Sequence, residues 1–319
     1  MSDQTRTPAA AAATPYLYLL VTMVLFGTAF TSSKVVVGRM PHDVAAMLRF
    51  GGGALILVVL LCLRRDGSRF SWRDFCIAGS VGLIGVFAYN LFFFWALSLA
   101  PAIDGSVIIP VLSPVLTTLA LIATRRESAS GLRIAGLVLG VAGAVVFFLG
   151  VGSGSPVSGP RLAGDFIYLL AAACWAAYSI ASKKVLSGID PLRATAYATS
   201  VGAAALSLIA IPSIADTHWA ALQTSTWANV IFLAVGPTAI AYLFYYRGLR
   251  AVSPITATIT MFTVPVFGTL SSVLFINESF THIQILGAVI TVAGALLAVL
   301  STSRKSRQSQ AEPSAAVTT

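Results

Sequence analysis

The chain has 319 residues, 57% of them hydrophobic and only 10% charged, with a mean hydropathy of +0.88 and a formal net charge of +9. A soluble domain carries about 25% charged residues, so a water-soluble globular protein is excluded. The composition indicates an all-α integral membrane protein embedded in a lipid bilayer. In such a chain an excess of Arg and Lys sets orientation and does not mark a nucleic-acid surface.

Residues 1–15 are small or polar and lack the basic stretch, apolar core and cleavage site of a signal peptide, so they are predicted to form a disordered tail. A bilayer core about 30 Å thick needs about 20 apolar residues per helix. Ten stretches qualify: 16–37, 43–63, 75–97, 103–123, 131–150, 165–186, 191–212, 226–246, 254–275 and 282–301. The Gly/Ser/Pro-rich run 151–164 reads as a linker, and residues 302–319 as a second disordered tail.

The stretch 114–149 returns 151 residues later as 265–300, with fourteen of thirty-six positions identical and no gap. Pro114 matches Pro265, Glu127-Ser128 matches Glu278-Ser279, and Gly136 and Gly143 match Gly287 and Gly294. Upstream, Tyr18-Leu19-Leu20, Lys34-Val35, Gly38 and Pro41 return as Tyr168-Leu169-Leu170, Lys184-Val185, Gly188 and Pro191. One unit, 16–150, is therefore repeated as 165–301.

Placing both termini in the cytoplasm puts nearly all the Lys and Arg on the inner side; Lys34, Arg39 and Arg161 fall outside, and Arg49 lies within a helix. Each repeat holds five helices, an odd number, so the second enters the membrane inverted. Inverted repeats are an architecture of secondary transporters, with the solute near the midplane between the halves.

The acids Asp43, Asp66, Asp74, Asp104, Glu127, Asp165, Asp190, Asp216 and Glu278 all fall at helix ends or in loops, and so do the three histidines. Proton-driven carriers rely on ionisable groups inside the membrane, so the expectation is a facilitator, or else coupling through groups the sequence does not reveal. Asp104, at the outer start of the fourth span, is the exception to watch. Arg49 lies about six residues, or about 9 Å, from the outer end of the second span. It either pairs with a carboxylate, including a solute's, or snorkels to the headgroups or packs on a neighbouring carbonyl.

Tyr89 and Asn90 in span 3, Trp175 and Tyr178 in span 6 and Tyr242 in span 8 lie deep enough to line a solute site, where rings give stacking area and polar handles. Thr28, Ser33 and Ser113 are further polar contacts. Trp95, Tyr245 and Tyr246 fall near span ends and are assigned to the interfacial belt. Pro110 and Pro114 in span 4, Pro237 in span 8 and Pro265 in span 9 each remove a backbone donor and are candidate hinges. The glycines of spans 5 and 10 make small-residue faces, suited to packing within one chain or to a homodimer, though a monomer suffices. Cys62, Cys76 and Cys174 are expected to be small buried residues. No metal-ligand cluster, cofactor-binding motif or paired catalytic groups are present, so neither a cofactor nor enzymatic activity is expected.

Two five-helix halves, Phe26-Gly27 in span 1, Leu48-Arg49-Phe50 in span 2, Ala96-Leu97 followed by Pro114, and Glu127 ahead of Gly136 and Gly143 together resemble the drug/metabolite transporter superfamily, in particular its EamA-type exporters. The resemblance spans Tyr16 to Ser301. It implies a bacterial inner-membrane carrier with spans 1, 3, 4, 6, 8 and 9 around a central cavity and spans 5 and 10 at the periphery. Many members carry Trp where this chain has Phe26. The expected activity is export of amino acids, aromatic and other neutral ones first. The alternatives are a lipophilic-cation exporter, which calls for a buried carboxylate; a carrier of phosphorylated metabolites, which calls for several buried bases; and a non-transporting scaffold or sensor.

Overall fold

A computed structural model of the chain describes residues 8–64, 70–125, 130–149 and 158–276, with residues 282–283, 285–287, 289–294 and 296–298. Among the described residues there is no strand. The helices are α1 (Pro8–Val37), α2 (His42–Leu63), α3 (Trp72–Leu99), α4 (Ala102–Ala123), α5 (Gly131–Leu149), α6 (Gly159–Val185), α7 (Pro191–Ala215), α8 (Thr224–Ala251), α9 (254–276) and α10 (within 282–298). Seven are long and apolar enough to cross a bilayer; the shorter apolar stretches Gly131–Val146, Pro254–Gly268 and Ile285–Ala298 complete the ten. Lipid offers no hydrogen bonds, so the backbone satisfies itself in helices. Exposed Leu55, Val58, Val59 and Leu60 on α2, and Leu208, Ile209 and Ile211 on α7, form the hydrocarbon-facing surface.

Helix starts follow local chemistry. Ser71 accepts from Asp74 N, Ser158 from Arg161 N and Ser253 from Thr256 N, and Asp190 takes the amides of Leu192 and Arg193. Pro191 and Pro254 occupy first-turn positions, where no donor is lost. Two expectations are corrected here. Residues 8–15, expected in a disordered tail, belong to α1, and 159–164, expected in the linker, belong to α6. Ala-rich sequence and the Ser158 cap account for both extensions. Residues 1–7, 151–157 and 301–319 and the acids Glu127 and Glu278 lie outside the described residues.

The packing follows the repeat. α1 lies against α8 and α9, and α6 lies against α3 and α4, which is the same arrangement with the halves exchanged. α2 packs on α7, its own counterpart. α5 and α10 meet at an edge, where a Cβ at Gly136 would lie 2.7 Å from Gly294 O. The glycine faces thus serve packing within the chain. Lys34 of α1 donates to Leu97 O (2.9 Å) and Ala100 O (3.3 Å) at the end of α3. Lys183 of α6 donates to Leu249 O (3.0 Å), Arg250 O (2.7 Å) and Val252 O (2.9 Å) at the end of α8. The structural counterpart of Lys34 is therefore Lys183, one residue before the Lys184 that the ungapped alignment selects.

Both α3 and α8 widen into a π-helical stretch midway, Leu83–Ala88 and Ala234–Ile240. α9 tightens into a 3-10 turn at Thr260–Thr263, just before Pro265. α4 runs as continuous helix through the candidate hinges Pro110 and Pro114. Cys62 and Cys76 are exposed on the outside of the bundle, contrary to the expected burial, and Cys174 is half-buried.

Candidate functional site

The π-helical stretches place the deepest aromatic side chains. Tyr89 and Asn90 follow the first directly, and Tyr242 follows the second at the start of the regular part of α8. π-turns recur at functional sites because they rotate the following side chains relative to the rest of the helix. The first stretch packs against α6 and the second against α2. The Tyr178 ring fills the space beside Gly85, where a Cβ would lie 2.0 Å from it.

The result is one continuous ring cluster in the middle of the bundle. The Trp175 centroid lies 4.9 Å from Tyr89, 5.0 Å from Tyr245, 5.3 Å from Phe26, 5.4 Å from Tyr178 and 5.9 Å from Tyr242. Most contacts are tilted or edge-on, the favourable arrangement for aromatic quadrupoles. All the sequence-predicted aromatics converge here. Asn90 is fully buried, and its Nδ2 donates to Val86 O (2.8 Å) and to the Tyr242 hydroxyl (3.1 Å), which itself donates to Gly85 O (3.3 Å). Asn90 Oδ1 has no hydrogen-bond partner.

Beside this cluster sits Arg49, 4% exposed. It does not snorkel. Nε donates to Thr238 Oγ1 (3.1 Å) and Nη1 reaches Ser33 Oγ (3.5 Å), while the guanidinium faces the rings of Phe50 (4.9 Å), Phe94 (5.8 Å) and Phe93 (5.9 Å). Tyr242 and Tyr89 are its electrostatic neighbours. No carboxylate among the described residues pairs with it. Hydroxyls and cation–π contacts of about 0.5–2 kcal/mol each offset part of a desolvation cost of several kcal/mol.

The remaining candidates are placed elsewhere. Asp104 is fully buried, but Arg161 takes both its oxygens, at 2.8 Å and 3.0 Å, which removes it as a free charge. Ser113 bonds Ile109 O (2.7 Å) and Ala172 O (3.3 Å) between α4 and α6. Thr28 bonds carbonyls of its own helix and lines a crevice of about 540 Å³ between α1, α8 and Phe275 of α9, away from the ring cluster. Pro237 lies within the second π-stretch.

Tyr245, Tyr246 and Phe26 went unassigned or misassigned from sequence. Tyr245 is fully buried and shares a 2.7 Å hydrogen bond with Ser179, and Tyr246 is buried with its hydroxyl on Leu186 O. The predicted span ended at 246, whereas α8 continues to Ala251. Both tyrosines therefore lie more than a turn before the end of the helix. Their helical spacing from Tyr242 was the available signal. Trp95, 44% exposed, does sit on the outer surface of the bundle.

The model of the EamA-like transporter family matches the chain twice, at residues 13–149 and 162–300. An uncharacterized transporter, YyaM, of Bacillus subtilis (strain 168) is 23% identical over 285 residues, covering 89% of this chain and 92% of its own length. The aromatic amino acid exporter YddG of Ancylobacter novellus is 28% identical over 225 residues, covering 69% of this chain and 74% of its own. A probable terminal-alkyne amino-acid exporter of Streptantibioticus cattleyicolor is 23% identical over 284 residues, covering 88% and 91%. A solved crystal structure superimposes with a TM-score of 0.73 at 24% identity, over 92% of this chain and 99% of the other, which shows the shared fold.

Proposed function

The chain belongs to the EamA-like transporter family, and from that premise we propose that this multi-pass membrane transporter exports amino acids, aromatic and other neutral ones first, by alternating access. Both termini then face the cytoplasm of a bacterial cell. The observation that carries the proposal is the pairing of a buried cation that no carboxylate among the described residues compensates, Arg49, with a cluster of six rings from α1, α3, α6 and α8. The guanidinium offers a carboxylate a partner, the rings offer an apolar or aromatic side chain a surface, and Asn90 Oδ1 offers an ammonium an acceptor. Two relatives named as amino-acid exporters support the same solute class. The sign of the buried charge counts against a lipophilic-cation exporter, because a cation entering beside Arg49 is repelled.

Asp104 is neutralised by Arg161, and the described residues place no free carboxylate in the ring cluster, which favours transport without obligatory proton coupling. The test is uptake of labelled phenylalanine and other neutral amino acids by purified protein in liposomes, first at equal pH and then with an imposed gradient. Saturable uptake at equal pH, unchanged by the gradient, is expected. Uptake only under a gradient would overturn the uncoupled mechanism, and no uptake of any amino acid would overturn the solute class.

A further inference from the structure

We infer that the site reads a carboxylate as its obligatory headgroup and treats the ammonium as dispensable, so that aromatic monocarboxylates without an amino group are substrates too. The inference rests on the ring cluster being the solute site. Its basis is an asymmetry in what the site offers the two ends of a zwitterion. Arg49 is a full charge with five donors in a fixed fork. Only Nε and Nη1 are engaged, with hydroxyls, and the Nη1 contact is at the 3.5 Å limit. An entering carboxylate replaces a poor contact with a charge-assisted pair and cancels a buried charge that nothing in the described protein cancels.

The ammonium meets nothing comparable. The available acceptors around Asn90 are its own Oδ1 and neutral hydroxyls such as Tyr242. Of the described carboxylates nearest this level, Asp104 is held by Arg161, and Asp165, whose Oδ1 has no hydrogen-bond partner, sits beside that pair ten residues, or about 15 Å, before Trp175 on α6. A neutral amide gains little from an ammonium once the cost of stripping its water is counted. Removing the ammonium from the solute therefore costs the complex little, while removing the carboxylate leaves Arg49 as it was and adds a second cation beside it.

The test uses three compounds that share one ring and differ only in headgroup: phenylalanine, 3-phenylpropionate and phenethylamine. Each is assayed on the detergent-purified protein as a shift in thermal unfolding, and each is used to compete with labelled phenylalanine in liposome counterflow. Phenylpropionate is expected to stabilise and compete within about tenfold of phenylalanine, and phenethylamine to do neither. In Arg49→Gln the response to both carboxylates is expected to fall at least about tenfold. Should that variant fail to fold, the wild-type series still decides.

Phenylalanine active with phenylpropionate inert would overturn the inference and leave amino-acid export standing. Phenylpropionate active with phenylalanine inert would support the inference and overturn amino-acid export. Phenethylamine as effective as the acids would overturn the inference, and silence from all three would overturn both proposals.

Discussion

Replacing Arg161 with Ala tests how much the buried Arg161–Asp104 pair contributes to the α4–α6 junction. Asp104 is fully buried and Arg161 is 17% exposed, and the guanidinium spans both carboxylate oxygens at 2.8 Å and 3.0 Å. Breaking a buried pair from one side costs about 3–5 kcal/mol, because the remaining charge stays desolvated. The partial exposure of Arg161 argues for the lower end, about 3 kcal/mol. Arg64→Ala is the control: it breaks a 2.8 Å pair with Asp190 whose side chains are 44% and 34% exposed, so at most about 1 kcal/mol is expected. Adding Asp104→Asn to Arg161→Ala removes the stranded charge and is expected to recover at least about 1 kcal/mol. The assay is an SDS unfolding titration of purified protein followed by circular dichroism. If Arg161→Ala costs no more than Arg64→Ala, or if Asp104→Asn rescues nothing, the pair is not a buried structural element and the reasoning fails.

Gly82 packs so closely on α7 that a Cβ there would lie 2.1 Å from Ala198 O, so Gly82→Ala is expected to cost about 1–3 kcal/mol in the same titration. Gly51→Ala, with nothing within 4 Å, is expected to gain about 0.5–1 kcal/mol from higher helix propensity. Lys34→Met and Lys183→Met each remove a charged donor from the end of a helix and should each cost about 1 kcal/mol, with the two losses additive within error in the double variant. Unequal losses would show that the two caps are not equivalent. Pro114 and Pro265 occupy matching positions, but only the α9 site adjoins a 3-10 turn. Pro114→Ala and Pro265→Ala are each expected to slow counterflow, and wild-type rates in both would remove the prolines as hinges.

Much of the fold was legible because it rests on features with long periods. Twenty-residue apolar runs and a repeat of about 150 residues each average over many positions. The site was less legible because it depends on which face a single side chain presents and on small shifts in register. Arg49 is only about 9 Å from a span end, a depth at which snorkelling and burial are both feasible. The face of α2 that packs on α8, with Thr238 waiting there, decides for burial. The π-stretches leave no mark in an apolar sequence, yet they determine where Tyr89, Asn90 and Tyr242 point.

Register also explains which residues meet. The lysine caps align α1 with α6 at an offset of 149 and the ends of α3 and α8 at 152. With those offsets Phe26 corresponds to Trp175, and Asn90 to Tyr242. Each residue touches its own counterpart, the rings at 5.3 Å and the polar pair at 3.1 Å. That is what a pseudo-two-fold axis requires of residues lying on it. Yet neither pair is identical, and Arg49 corresponds, at the Pro41/Pro191 offset of 150, to Thr199, a buried hydroxyl with no partner. The scaffold keeps the duplication while the centre has lost it: one half contributes the charge and the amide, the other the indole and most of the phenols. A symmetric site would present the same groups to both ends of a solute. Under the proposed function, the lone cation set among rings suits a molecule with a charged head and an apolar body, because only one position in the cluster answers the head.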